Sequence, residues 1–202
     1  MIAVIDYGMG NIHSVRKALE LSGAKVKVAS QPDDIKSCQK LVLPGVGAFA
    51  DAMQELAKLG LVSLLQSQIK LGKPFLGICL GMQLLFEKSS EARGASGLGI
   101  LKGSVEIFDR KAAKKVPHMG WNQLKIASSE CPLLKGVKDN SYLYFCHSYY
   151  PKPADKECIA ATTDYGVDFP SVVWRDNIYG VQFHPEKSQV IGLKIIENFV
   201  KL

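Results

Sequence analysis

Apolar residues follow two rhythms along this chain. Ile2-Ala3-Val4-Ile5 is an unbroken apolar run, too short for a helix and closed by Asp6 and Gly8, which predicts a strand over Ile2–Asp6 buried on both faces. Asn11 then stands where a helix cap belongs, and Val15, Ala18 and Leu19 recur at helical spacing until Gly23 ends the helix. Lys25–Ala29 and Lys40–Leu43 read as a second and third strand, Ala48–Leu59 and Leu61–Leu71 as two helices. Pro74–Ile78 reads as a strand that runs into a helix over Met82–Lys88. Strands alternating with helices through short turns predict an α/β, doubly wound fold around a parallel sheet. The second half is strand-rich, with Ile100–Phe108, Trp121–Ile126, Tyr142–His147, Cys158–Thr163, Ser171–Trp174 and Tyr179–Phe183. A helix over Ser188–Leu202 closes the chain, with Ile191, Ile195 and Phe199 on one stripe. Leu21 to Gln39, Ser89 to Ala95, Arg110 to Lys115 and Ser128 to Asn140 carry no motif and read as variable connections.

Composition narrows the class. A chain of 202 residues with 47% hydrophobic residues can bury one sizeable core, so a single domain over 1–202 is expected. No apolar run approaches the roughly 18 residues that a membrane helix needs, and the start lacks a basic segment followed by a cleavage site. Cys38, Cys79, Cys131, Cys146 and Cys158 are scattered without C-x-x-C spacing. That pattern argues against a disulfide framework or structural zinc and for a reducing cytoplasmic setting. The net charge is +6, yet the densest basic stretch, Arg110 to Lys115, has no interleaved aromatics and no nucleic-acid signature accompanies it. It reads as a solvated loop, or else as a docking element for an acidic partner surface.

Chemistry enters at Gly77-Ile78-Cys79-Leu80-Gly81. A cysteine framed by glycines two residues away on either side, between strand and helix, has the form of a nucleophile elbow. The sharp turn strains the nucleophile and leaves the flanking positions no space for a Cβ. A helix N-terminus behind the thiol would favour its thiolate. The bland alternative is a buried cysteine in a glycine-rich turn. Downstream, His184-Pro185-Glu186 follows the apolar run Ile178–Phe183. A catalytic cysteine needs a base, and the base needs a group that fixes its tautomer. His184 and Glu186 supply both from the end of one strand, in an order unlike that of the α/β-hydrolases. Cys146 beside His147 makes no second pair, because neighbours on a strand face opposite ways.

Gly8-Met9-Gly10-Asn11-Ile12-His13 follows a strand and opens a helix, as a dinucleotide loop would. His13 replaces the third glycine, however, and Val28-Ala29-Ser30-Gln31 offers no acid at the end of the second strand, so this reading fails. No phosphate-binding P-loop occurs. Neither a cofactor nor a metal is expected.

These residues resemble the class I, or triad, glutamine amidotransferases, and within them the glutaminase subunits of imidazole glycerol phosphate synthase. The likeness rests on Asp6 to Asn11, Pro44 to Phe49, Gly77 to Phe86, Pro117 to Asn122, His147 to Tyr149 and Phe183 to Ser188, in the family's order and nearly end to end. It implies a flavodoxin-like fold with a mixed sheet, and a reaction in which glutamine is hydrolysed to glutamate and ammonia. Cys79 would be the nucleophile, His184 the acid and base, and Glu186 its orienting group. The backbone N–H of Leu80 would serve the oxyanion, with Val46 as the second donor from the Gly45-Val46-Gly47 loop. Gly45, Gln83, Ser148 and Tyr149 would hold glutamine. The chain offers no acceptor site for ammonia, and the resemblance places that site on a partner (β/α)8-barrel cyclase of histidine biosynthesis. Asn11, Trp121, Asn122, Tyr144 and Lys187 are the candidate contacts with it. Three alternatives share the sequence features: a paralogue serving a surface-sugar amidating enzyme, a thiol hydrolase of the same topology, and a non-catalytic binding module.

Overall fold

The computed structural model describes all residues except Arg93, Arg110, Ala112 and Lys114. The basic run at 110–115 therefore lies partly outside the described residues, and its role stays an expectation. In chain order the elements are β1 (Ile2–Ile5), α1 (Ile12–Leu21), β2 (Val26–Ala29), α2 (Pro32–Ser37), β3 (Lys40–Gly45), α3 (Phe49–Lys58), α4 (Leu61–Lys70), β4 (Phe75–Cys79) and α5 (Leu80–Gln83). There follow β5 (Lys88–Ser89), β6 (Gly103–Ile107), β7 (His118–Gln123), β8 (Lys125–Ile126), β9 (Tyr142–His147), β10 (Tyr149–Pro153), β11 (Ile159–Asp164), β12 (Asp168–Arg175), β13 (Ile178–Val181) and α6 (Gln189–Lys201).

The main sheet has the order β2-β1-β3-β4-β13-β12-β11-β8. Its first five strands are parallel and the last three antiparallel, which makes it mixed. The unbroken apolar runs are explained by burial on both faces. Ile2, Val4, Val42, Leu76 and Ile78 point to the side covered by α1 and α6. Ala3, Ile5, Leu41, Leu43 and Phe75 point to the side that holds α2, α3 and α4. The alternation is that of the pleat, so each side chain in the run has its own core. Two small sheets, β10-β6-β5 and β7-β9, complete the fold, and β9 meets the chain just beyond β13, where His184 N–H donates to the Tyr144 carbonyl.

Several expected elements differ. The helix expected over Met82–Lys88 is α5, which stops at Gln83. Leu84, Leu85 and Phe86 are fully buried, but their carbonyls accept from Leu98, Ile100, Leu101 and Gly99 instead of continuing a helix. Gly97 makes this possible, since a Cβ there would stand 2.1 Å from the Phe86 oxygen. The stretch Trp121–Ile126 divides between β7 and β8, which belong to different sheets. Within the connection 21–39 the strand expected over Lys25–Ala29 forms as β2, while α2 is not among the expected elements, and Pro32 at its start is the first-turn signal that identifies it. Strand β10 was hidden by Pro151 and Pro153, which a strand tolerates at an edge such as this one.

Candidate active site

The elbow forms as its glycines require. Cys79 ends β4 with φ 54° and ψ −109°, a strained conformation for a residue with a side chain. A Cβ on Gly77 would lie 2.5 Å from the Gly81 oxygen, and one on Gly81 would lie 1.8 Å from the Leu43 oxygen. No side chain other than hydrogen fits at either position. The helix behind the thiol has only four residues, so the dipole expected from a longer helix is replaced by a neighbouring cation.

That cation is His184. Strands β4 and β13 are adjacent and parallel, with Ile78 opposite Val181. The chain beyond β13 therefore delivers His184 to the side of Cys79, and both line the same cavity. His184 Nδ1 bonds Glu186 Oε1 at 2.9 Å, both side chains being at least 95% buried. The second carboxylate oxygen of Glu186 is buried and has no protein partner among the described residues. Burial alone would push the His184 pKa down, but Cys79 and Glu186 outweigh it and hold the value up at about 10. At neutral pH the ring is an imidazolium facing sulfur. The backbone is fixed as well: His184 N–H donates to the Tyr144 carbonyl (2.9 Å), and Ser188 Oγ–H donates to the His184 carbonyl (2.7 Å).

A cavity of about 310 Å³ opens over the thiol, lined by Val46, Leu80, Gln83, Glu91, Tyr149 and Lys187 among others. This lies at the small end of ligand sites and suits an amino acid. Val46 follows the end of β3, where Gly45 pairs with Cys79 across the sheet. Gly47, with φ 95°, releases the loop on its other side. Gly45 itself does not line the cavity. A Cβ there would meet the Tyr7 hydroxyl at 2.7 Å and Leu80 Cβ at 2.9 Å, so it backs the elbow rather than facing substrate. Gln83 is buried, and its Nε2 donates to the Tyr149 carbonyl (2.9 Å) and to Gln182 Oε1 (3.1 Å). Gln182 in turn donates to the Cys79 sulfur at 3.7 Å. Ser148 and Tyr149 line the cavity beside Gln83.

Sequence patterning misses Glu91. It sits in the segment 89–95, which carries no motif, and no periodicity links it to Cys79. In the fold its Oε2 accepts the Phe49 N–H at the start of α3 (2.8 Å), which turns a loop carboxylate into the cavity wall. Among the candidate partner contacts, Trp121 and Tyr144 meet edge to face with centroids 6.0 Å apart. Lys187 Nζ stands 5.9 Å over the Tyr144 ring. Asn11 caps α1 by accepting the Ser14 N–H (3.4 Å). Asn122 is occupied internally, donating to the Asp164 carbonyl at 2.9 Å and bonding the ring of His118.

Known proteins are similar to this chain over nearly its whole length. The family model "Glutamine amidotransferase class-I" matches residues 3–202. The imidazole glycerol phosphate synthase subunit HisH of Methanocaldococcus jannaschii is 52% identical, with 100% of both chains covered. That of Caldanaerobacter subterraneus subsp. tengcongensis is 50% identical over 98% of this chain and 97% of its own. Among solved structures, PurLQS from Thermotoga maritima superposes with a TM-score of 0.77 at 18% identity, covering 99% of this chain and 97% of that one, a likeness of fold alone. The chain belongs to the class I glutamine amidotransferases, in the branch formed by the HisH subunits of imidazole glycerol phosphate synthase.

Proposed function

We propose that, in this glutaminase of histidine biosynthesis, Cys79 is the nucleophile, His184 the proton carrier and Glu186 the group that orients it. The observation that carries the reading is the buried Glu186–His184 pair delivered by the strand beside the elbow that presents Cys79. The Cys79 sulfur attacks the side-chain amide carbon of glutamine, and the carbonyl electrons move to oxygen. As that intermediate collapses, the C–N bond breaks and the His184 imidazolium gives its proton to departing ammonia. The neutral ring then takes a proton from water, whose oxygen attacks the γ-glutamyl thioester. Glutamate leaves, and the proton returns to the Cys79–His184 pair. The N–H groups of Leu80 and Val46 serve the oxyanion in both steps, where losing one donor typically costs about 10²–10³-fold in rate. Glu91 is suited to the α-ammonium of the substrate, while Gln83, Ser148 and Tyr149 hold its amino-acid end.

Ammonia then passes to a (β/α)8-barrel cyclase, with which this chain forms a heterodimer in the cytoplasm. The cyclase uses it to make imidazole glycerol phosphate and an aminoimidazole carboxamide ribotide. The patch of Trp121, Tyr144 and Lys187, together with the cap at Asn11, is the proposed contact. A single amidotransferase domain over 1–202 accords with the span of the family match. The test is copurification with the cyclase followed by the coupled assay. Cys79→Ala should abolish glutamine-dependent synthesis while ammonia-dependent synthesis persists. A γ-glutamyl thioester trapped on any other cysteine refutes the assignment.

A further inference from the structure

At the edge of the substrate cavity, which His147 helps to line, two histidines that take no part in the proton transfers face each other across the β7–β9 pair. His118 is the register partner of His147, and both are buried. His118 lies between the rings of Phe145 and Tyr165, with centroids 4.8 and 4.0 Å away. Phe108 and Phe169 stand 5.3 and 5.1 Å from His147. The two imidazoles bond each other, His118 Nδ1 to His147 Nε2, at 3.0 Å. His118 Nε2 bonds Asn122 Nδ2 at 3.2 Å, and His147 Nδ1 bonds the Tyr149 carbonyl at 2.8 Å.

Hydrogen-bond bookkeeping fixes the direction of this chain. The Asn122 amide has one possible orientation, because its oxygen accepts the Gln123 N–H (2.8 Å) and its nitrogen donates to the Asp164 carbonyl. Asn122 must then donate to His118 Nε2, which places the His118 proton on Nδ1. That proton goes to His147 Nε2, so the His147 proton is also on Nδ1 and points at the Tyr149 carbonyl. The far end agrees independently, since a carbonyl can only accept. Every donor meets an acceptor, and no other tautomer pair achieves this. A proton added to either ring would set two N–H groups against each other. In keeping with that, burial pushes the pKa of His118 down to about 4 and that of His147 to about 3.

The Tyr149 oxygen where the chain ends also accepts from Gln83. We propose that His118 is a positioning residue for glutamine binding: by locking the His147 tautomer it holds the Tyr149 carbonyl, and through it Gln83, in place at the substrate wall. The proposal rests on the assignment of Gln83 and Tyr149 to glutamine binding made above. Without the His118 donor, His147 can carry its proton on Nε2, which sets a lone pair on Nδ1 against the Tyr149 oxygen and displaces that oxygen.

Two substitutions separate the tautomer lock from ring packing, because both remove the imidazole. An asparagine amide sits near the Nδ1 position and can still donate to His147, whereas a glutamine amide reaches toward Asn122 and cannot. With the full chain bound to its cyclase, His118→Gln should raise the KM for glutamine roughly tenfold, the scale of one broken buried hydrogen bond, and leave kcat nearly unchanged. His118→Asn should restore KM. Equal KM values in the two variants, or a loss confined to kcat, overturn the proposal. Gln83→Ala identifies which reading fails: if it leaves KM unaltered, the substrate wall is misassigned and the proposal falls with it. If Gln83→Ala raises KM and His118→Gln does not, the positioning role alone is wrong. Independently of whether the variants fold, nitrogen-15 spectra of the unaltered protein at neutral pH should show both rings protonated at Nδ1. Free histidine favours Nε2–H, and an Nε2-protonated ring at either position overturns the proposal.

Discussion

Replacing Gly81 with alanine separates the geometry of the elbow from its chemistry, since no reacting group changes. The new Cβ would stand 1.8 Å from the Leu43 oxygen and 2.9 Å from the Leu43 carbonyl carbon. Real Cβ contacts are essentially never under 3.0 Å, so the gap must widen by more than about 1 Å. Strand β3 cannot supply that movement, because β1 and β4 flank it and Tyr7 and Leu80 close in on Gly45 at its end. The elbow must move, and Cys79 with it. Overpacking of this kind costs about 1–3 kcal/mol. For a chain of this size each kcal/mol lowers Tm by about 2–4 °C, so a loss of roughly 6 °C is expected and the protein stays folded at 25 °C. A nucleophile displaced by about 1 Å loses about 10² in rate. Activity therefore falls much further than stability. The assay pairs a circular-dichroism melt with glutamate release at saturating glutamine, and Gly60→Ala is the control. Gly60 has φ 67° and lies far from the elbow in sequence, with nothing within 4 Å of where a Cβ would stand, so alanine there adds strain without a clash. If Gly81→Ala matches Gly60→Ala in both Tm and turnover, the steric account of the elbow is wrong.

Three further outcomes follow from the site. Glu186→Gln removes the charge that helps hold the His184 pKa near 10. The imidazolium is present through neutral pH and is lost as pH rises through about 10, so the alkaline limb of kcat/KM should move toward neutrality in the variant; a limb that stays in place sinks the orienting role. Glu91→Gln should raise the KM for glutamine roughly tenfold with kcat preserved, as expected for a lost charged contact, and an unchanged KM would remove Glu91 from the site. The chain alone should hydrolyse glutamine more slowly than the chain with cyclase and its nucleotide ligand. Val46 lies between two glycines, which lets its peptide planes rotate, and one oxyanion donor is worth about 10²–10³ in rate. Equal turnover with and without partner would mean that the oxyanion site is already formed.

The legible parts of the sequence were those where one residue type answers to one physical demand. Apolar runs located β1, β3 and β4 because burial on both faces leaves no polar alternation. The glycines at 77 and 81 were readable because only hydrogen fits there. Residues whose role depends on distant neighbours left no such trace. Glu91 becomes a cavity residue only when the start of α3 binds it. His118 falls before the strand expected over Trp121–Ile126 and shows no role until His147 stands across from it. Leu84 to Phe86 fit a helix by composition and are turned aside by the segment around Gly97. Pro151 and Pro153 leave β10 without the usual strand pattern, because an edge position cannot be recognised before the sheet is known.

The place of β13 between β4 and β12 has a consequence for how the molecule is made. Gln182, which bonds the nucleophile from the end of that strand, lies 103 residues from Cys79 in sequence. During synthesis at about 5–20 residues per second, β4 emerges with β3 on one side and nothing on the other for roughly 5–20 seconds. Its pairing belongs to the slow, non-local class of contacts. Through that interval the strand that ends in the reactive cysteine is a bare apolar edge, open to other nascent chains. The sheet closes only when β13 arrives, and His184 and Glu186 arrive directly behind it. If the triad is as proposed, closure of the edge and assembly of Cys79 with His184 and Glu186 are thus a single late event.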